Sequence, residues 1–101
     1  MSTLRTRGDN MRHLTRSAVF LFFTKGKKVL LQKRMNTGFM GGYYDATVSG
    51  HIEANESITQ AALRETREEI GLEIPSSALS FYTTLHMHFD EHDYFYFYFH
   101  V

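Results

Sequence analysis

A mixed α/β fold of the α+β kind, one helix against a sheet, is what this sequence predicts, and three stretches carry the prediction. "YFYFYFHV", residues 94–101, alternates strictly, the period-two pattern of a strand. "SAVFLFF" and "KVLLQKR" flank "TKGKK" as two apolar runs flank a hairpin turn. "NESITQAALRETREEIG", residues 55–71, repeats its apolar residues at the three- and four-residue spacing of a helix.

The composition bounds what such a chain can be. Its 101 residues, 43% hydrophobic and 15% aromatic, are enough for one domain with a modest core. A formal net charge of zero argues against stable attachment to nucleic acid or anionic membrane through bulk charge. With no cysteine there is neither a disulfide framework nor a thiolate metal site. The apolar run "AVFLFF" is too short to span a bilayer, and the polar start "MSTLRTRGDNMRHLTR" lacks a signal peptide's apolar core. A cytoplasmic protein without a membrane partner is expected.

In chain order, residues 1–15 read as a flexible lead-in and 16–101 as the domain. The first hairpin turns at Gly26, which accepts the backbone angles a tight turn needs. "MNTGFMGGYYDATVSG" is a glycine-rich loop running into a short strand near Asp45–Val48. The helix is expected to begin near Asn55 as its N-cap and to end at Gly71 in a left-handed conformation. Two long strands, roughly Leu79–Phe89 and Tyr94–Val101, close the order around the tip "DEHD", whose acids read as solvated. In the last strand Phe95, Phe97 and Phe99 line one face and Tyr94, Tyr96 and Tyr98 the other, so both faces need cover. The helix can cover one. A further segment, or a second copy forming a homodimer, is expected over the other.

The helix carries the chemistry. At about 100° per residue, Glu65, Glu68 and Glu69 fall in one sector, which Ile58, Ala61 and Ala62 share. Acids on a helix usually belong to a solvated face, and Arg64–Glu68 is an ordinary i,i+4 pair. Here three carboxylates converge on the inward side, where they repel unless a cation sits between them. An oxygen-only set of this kind suits Mg²⁺, or Mn²⁺ as a substitute. Leu63, Thr66 and Ile70 form a second apolar sector, predicting a helix buried on both flanks. "HMHFDEH" places His86 and His88 on one side of a strand with His92 beyond, a weaker hint of a metal site.

Gly50, five residues, Glu56, seven residues and then "RETREEIGL" resembles the Nudix box, Gly-x5-Glu-x7-Arg-Glu-U-x-Glu-Glu-x-Gly-U with U apolar. Gly50, Glu56, Arg64, Glu65, Glu68, Glu69, Gly71 and Leu72 match it; Thr66 stands where an apolar residue is usual, and "VSG" stands where "PGG" is common. The resemblance implies a Nudix-like α/β/α sandwich with a mixed sheet, incomplete at its C-terminal end because the usual C-terminal helix is missing here. It implies Mg²⁺-dependent hydrolysis of a nucleoside diphosphate linked to another group, a nucleoside triphosphate first among small-molecule substrates. Glu65, Glu68 and Glu69 become metal ligands with the carbonyl of Ser49. Glu65 is also the favoured base, and Arg64 the residue that orients a carboxylate. Glu56 becomes a structural or supporting residue, as do Gly50 and Gly71. Arg34, following Lys33 toward the glycine-rich loop, is a candidate phosphate contact, and Tyr44 beside Tyr43 a candidate base-stacking residue. The opposing reading is a non-catalytic Nudix module that binds metal or nucleotide, or assembles, without turnover.

Overall fold

The computed structural model describes residues 13–33 and 44–101. The described elements are β1 (Thr15–Lys25), β2 (Lys28–Leu30), β3 (Gln32–Lys33), β4 (Tyr44–Asp45), β5 (Val48–His51), α1 (Ile58–Ile70), a 3₁₀ turn (Ser76–Ala78), β6 (Ser80–Phe89) and β7 (His92–His100). No helix among them is long and apolar enough to cross a membrane.

β1 is the axis of the fold. On one side it runs parallel to β7, from Thr15 opposite Asp93 to Phe22 opposite His100. Val101 extends this ladder, donating to Phe22 and accepting from Thr24. Along its other side β1 pairs antiparallel first with β5, Ala18 to Leu21 against His51 to Val48, and then with β2, Phe23 to Lys25 against Leu30 to Lys28. Thr47 joins these two partners. Its buried hydroxyl accepts from the Phe23 amide at 3.0 Å and donates to the Leu30 carbonyl. β6 lies outside β7, giving a mixed sheet ordered β2–β1–β7–β6, with β3 and β4 paired separately.

The first hairpin forms as the apolar runs dictate, with Gly26 at φ 62° in its turn. Its second strand is shorter than "KVLLQKR" predicts: β2 ends at Leu30, and β3 leaves the main sheet to pair with β4. The helix starts later than Asn55. Ser57 is the N-cap, its hydroxyl accepting from the Gln60 amide at 3.0 Å while the Gln60 side chain accepts from the Ser57 amide at 2.8 Å. Such a reciprocal box satisfies two helix-end donors, which a lone Asn cannot do; Asn55 instead takes φ 64° in the preceding turn. Gly71 ends the helix in the left-handed region, as its spacing predicts, donating to the Arg67 carbonyl at 3.0 Å.

α1 packs on the sheet face that carries Val19, Leu21, Val48 and Phe99. Its contribution is Ala61 and Ala62, both fully buried, whose small side chains let the helix backbone approach the sheet, with Ile58 partly buried beside them. Burying a Val or Leu here contributes on the order of 1.5–3 kcal/mol. Among the described residues only one flank of the helix is covered, however. Thr66 is buried, satisfying its hydroxyl on the Ala62 carbonyl at 2.8 Å, but Ile70 is 36% exposed. The second apolar sector is therefore not a second buried face. On the opposite face of the sheet, Phe20 stacks on Tyr98 at 5.0 Å and meets Tyr96 at 4.8 Å, half-covered rings tiling one another across the β1–β7 ladder.

Candidate functional site

The site is built where α1 crosses β5. A residue with a Cβ at position 50 would collide with the carboxyl of Glu65, so glycine there is what lets that side chain lie against the strand. One place along, the Ser49 amide donates to Glu69 Oε2 at 3.1 Å. Two of the three acids of the inward sector thus meet the same short strand.

Arg64 organises the rest. Its Nε and Nη2 grip Glu56 as a fork, at 2.6 Å to Oε2 and 3.0 Å to Oε1. Nη1 reaches Glu65 Oε1 at 2.7 Å and Glu68 Oε2 at 3.1 Å, and Nη2 also donates to the His51 carbonyl at 3.0 Å. Glu53 adds an outer ion pair at 3.3 Å. Arg64, Glu56 and Glu65 are each about 15% exposed or less, whereas Glu68 is 55% exposed, so the first three form a sheltered knot and Glu68 projects from it. The guanidinium holds the Glu56 carboxyl down to about 2, assisted by the Glu53 amide at 2.9 Å. The same carboxylates, Glu56 foremost, raise Arg64 above its ordinary value.

These donors suit a hard divalent cation. They are oxygen atoms only, held at one helix–strand crossing, with the Glu65 carboxyl drawn into a gap that a side chain at Gly50 would fill. In the present arrangement Glu65 and Glu68 are turned onto Arg64 and Glu69 onto the Ser49 amide, and among the described residues no three His, Asp or Glu side chains already enclose an ion position. A cavity of about 500 Å³ opens beside the knot, lined by Glu53, Glu56, Gln60, Leu63, Arg64 and Arg67. By helical angle Gln60, Leu63 and Arg67 lie away from the sector of Glu65 and Glu69, so this cavity flanks the acids rather than containing them.

Arg34 lies outside the described residues. So does the side chain of Tyr44, whose backbone sits on β4 opposite Lys33. The histidines of β6 do not gather around an ion position; they converge on Asp93. Its Oδ1 meets His86 Nε2 at 2.7 Å and His88 Nδ1 at 3.3 Å, and its Oδ2 meets His13 Nε2 at 2.7 Å. His92 turns instead to the Asp90 carbonyl at 2.7 Å. Asp93 is not the solvated tip acid expected: it is 8% exposed, and His86 first among its partners lowers its pKa. The hairpin turn is tighter than "DEHD", with Asp90 and Glu91 alone at positive φ, so His92 and Asp93 belong to β7. The readable signal was phase: Asp93 alternates with Phe95, Phe97 and Phe99.

Comparison with known proteins identifies the family and the fold. The family model for the NUDIX domain matches residues 11–101. The NAD-capped RNA hydrolase NudC of Pseudomonas aeruginosa is 39% identical over 57 residues, 56% of this chain and 19% of that protein. The uncharacterized Nudix hydrolase YfcD of Escherichia coli strain K12 is 41% identical over 46 residues, 45% of this chain and 26% of that one. Among solved structures, the Escherichia coli ORF135 protein superposes with a TM-score of 0.74 at 23% identity, over 88% of this chain and 61% of that one, a likeness of fold. A NUDIX hydrolase from Nitrosomonas europaea gives 0.69 at 25% identity, over 86% and 57%. The chain spans less than two thirds of the length of each of these proteins.

Proposed function

Because this chain belongs to the Nudix family, we propose that it hydrolyses the diphosphate bond of a nucleoside diphosphate linked to another group, with Mg²⁺ as cofactor and a nucleoside triphosphate as substrate. The observation that carries the reading is the Glu65 carboxyl seated against Gly50 of β5 by a guanidinium that also engages Glu68. Glu65, Glu68 and Glu69 would hold the ion, together with the carbonyl oxygen of Ser49. Mn²⁺ suits the same donors. A bound divalent ion offsets the charge of the diphosphate and lowers the pKa of water beside it.

The chain's own residues do the rest. Glu65 has one oxygen on Arg64; its other oxygen, Oε2, takes the proton of the attacking water in this reading. Arg64 is a positioning residue, keeping Glu65 and Glu68 from drifting as charge changes around them. Glu56 anchors Arg64 from the far side and touches no reacting atom. Arg34 and Tyr44 remain the candidates for phosphate and base. The zero net charge bears on sustained nucleic-acid binding and leaves a nucleotide at an RNA end within the substrate class, so NAD-capped RNA belongs in any substrate panel, given the likeness to NudC.

The test is product release from nucleoside triphosphates, nucleotide sugars, dinucleotides and NAD-capped RNA, with Mg²⁺ or with chelator, beside Glu65→Gln. The expected result is turnover that needs Mg²⁺ and falls by about 10²–10⁴-fold in the variant. Mg²⁺ binding by calorimetry without turnover on any substrate would favour the non-catalytic module instead. Full turnover by Glu65→Gln would remove the base assignment.

A further inference from the structure

The two margins of the main sheet are built differently. One is shared by two short strands, β5 of four residues and β2 of three, the latter at a turn with Lys25, Lys27 and Lys28 in and beside it. Short length and lysines are the usual protection of a sheet edge against pairing with another chain. The other margin is β6, ten residues long, paired with β7 on one side and with no other strand among the described residues. Its sequence, SFYTTLHMHF, contains no lysine, arginine, aspartate, glutamate or proline. Apart from the half-buried Thr83 its side chains are open to solvent, Leu85 at 45%, Met87 at 39% and Phe89 at 69%.

We propose that the free edge of β6 pairs antiparallel with the β6 edge of a second copy of this chain, joining two sheets into one across a two-fold axis. The irregularity between Phe81 and Thr83 bends the edge there, so the pairing segment runs from Thr83 to Phe89. In register with β7, Thr83, Leu85 and Met87 stand opposite Tyr98, Tyr96 and Tyr94, on the face away from α1. A two-fold axis normal to the sheet keeps each face on its own side. The row Thr83, Leu85, Met87 and Phe89 therefore meets the same row of its copy about a centre at His86, Leu85 against Met87 and Thr83 against Phe89. Neither row carries a formal charge, so the strand meets itself without like-charge repulsion, whereas a charged peptide gains no complementary partner along it. Backbone N–H and C=O groups of β6 that pair with no second strand among the described residues supply the ladder, and the isologous contact closes at two copies because it occupies the β6 edge of both.

Sedimentation velocity over a dilution series reads the outcome, beside Leu85→Lys/Met87→Lys. Both positions are solvent-open, and circular dichroism with a melting curve checks that the variant folds. A dimer is expected whose dissociation constant rises at least about tenfold in the variant. A wild-type chain that stays monomeric up to about 100 μM, a dissociation constant too weak for a specific dimer, overturns the proposal. So does a dimer that the variant leaves unchanged, which would place the contact on the aromatic face. The chain has no cysteine, so a single introduced thiol locates the contact. Leu85→Cys mixed with Met87→Cys should cross-link to a mixed dimer under mild oxidation while Leu85→Cys mixed with Lys27→Cys does not, and equal cross-linking of the two mixtures would also overturn it.

Discussion

Two charged hubs of opposite sign hold this molecule, and they differ in what surrounds them. At the helix–strand crossing one cation, Arg64, gathers Glu56, Glu65 and Glu68. At the far end of the sheet one anion, Asp93, gathers His13, His86 and His88. Arg64, Glu56 and Glu65 are sheltered together, whereas the histidines around Asp93 are 55–69% exposed. Water screens the second hub and competes for its donors, so the same kind of contact does less there. The contrast separates a hub that shapes the proposed site from one that ties His13 and the β6–β7 hairpin together.

The sharpest way to break that contrast is Gly50→Ala. The added methyl occupies the position of the Glu65 carboxyl, which must swing away while the core stays packed. Hydrolysis, where assayed, should fall about 10²-fold or more, the scale of a misplacement of about 1 Å, with little change in the melting temperature. Retained activity would mean that Glu65 works from another position.

Next in size is Arg64→Met, which keeps the aliphatic stem and leaves Glu56 and Glu65 crowded together without their cation. The melting temperature should drop by more than in Asp93→Asn measured in the same buffer. Equal losses would show the two hubs to be energetically alike. Arg64→Lys should restore charge without the fork, recovering stability better than activity.

A pH series sharpens the comparison further. Glu56 is held at about 2, below its ordinary 4.5. Its contribution is therefore complete above about 4.5 and is lost as pH falls toward about 2, because the unfolded chain binds the proton first. The melting temperature should decline through that window, and Glu56→Gln should flatten the decline while lowering stability near neutrality. An unchanged slope in Glu56→Gln would assign the acid sensitivity elsewhere. Asp93, also lowered, works in the same direction, and Asp93→Asn should produce the smallest effect, a loss confined to the hairpin and visible as faster amide exchange in β6.

How much of this was legible beforehand follows the distance along the chain over which each feature is made. The acids of α1 and their arginine sit three and four residues apart, so helical geometry alone brings Arg64 to Glu68 and sets Glu65 and Glu69 on one side. Gly71 and Gly26 were readable for the same reason: a left-handed backbone is a local demand. The helix starts at Ser57 rather than near Asn55 because Asn55, a good cap in isolation, satisfies fewer donors than the Ser57–Gln60 pair. The break between β2 and β3 escaped because it depends on Thr47, seventeen residues past the Leu30 carbonyl it meets. The Asp93 hub escaped because His13 and Asp93 meet only through the parallel pairing of β1 with β7.

By itself the sequence determined the elements that neighbouring residues decide: an amphipathic helix with its acids to one side, a glycine beneath them, a hairpin at Gly26 and an alternating final strand. Tertiary structure alone decided which face of that strand the helix covers, which carboxylate Arg64 grips as a fork, and that Asp93 is buried while β6 is left open. The physical reason is that helix phase and turn angles are properties of a few consecutive peptide units. Burial and edge exposure depend on which strand lies alongside, and here that neighbour is a parallel partner more than seventy residues away.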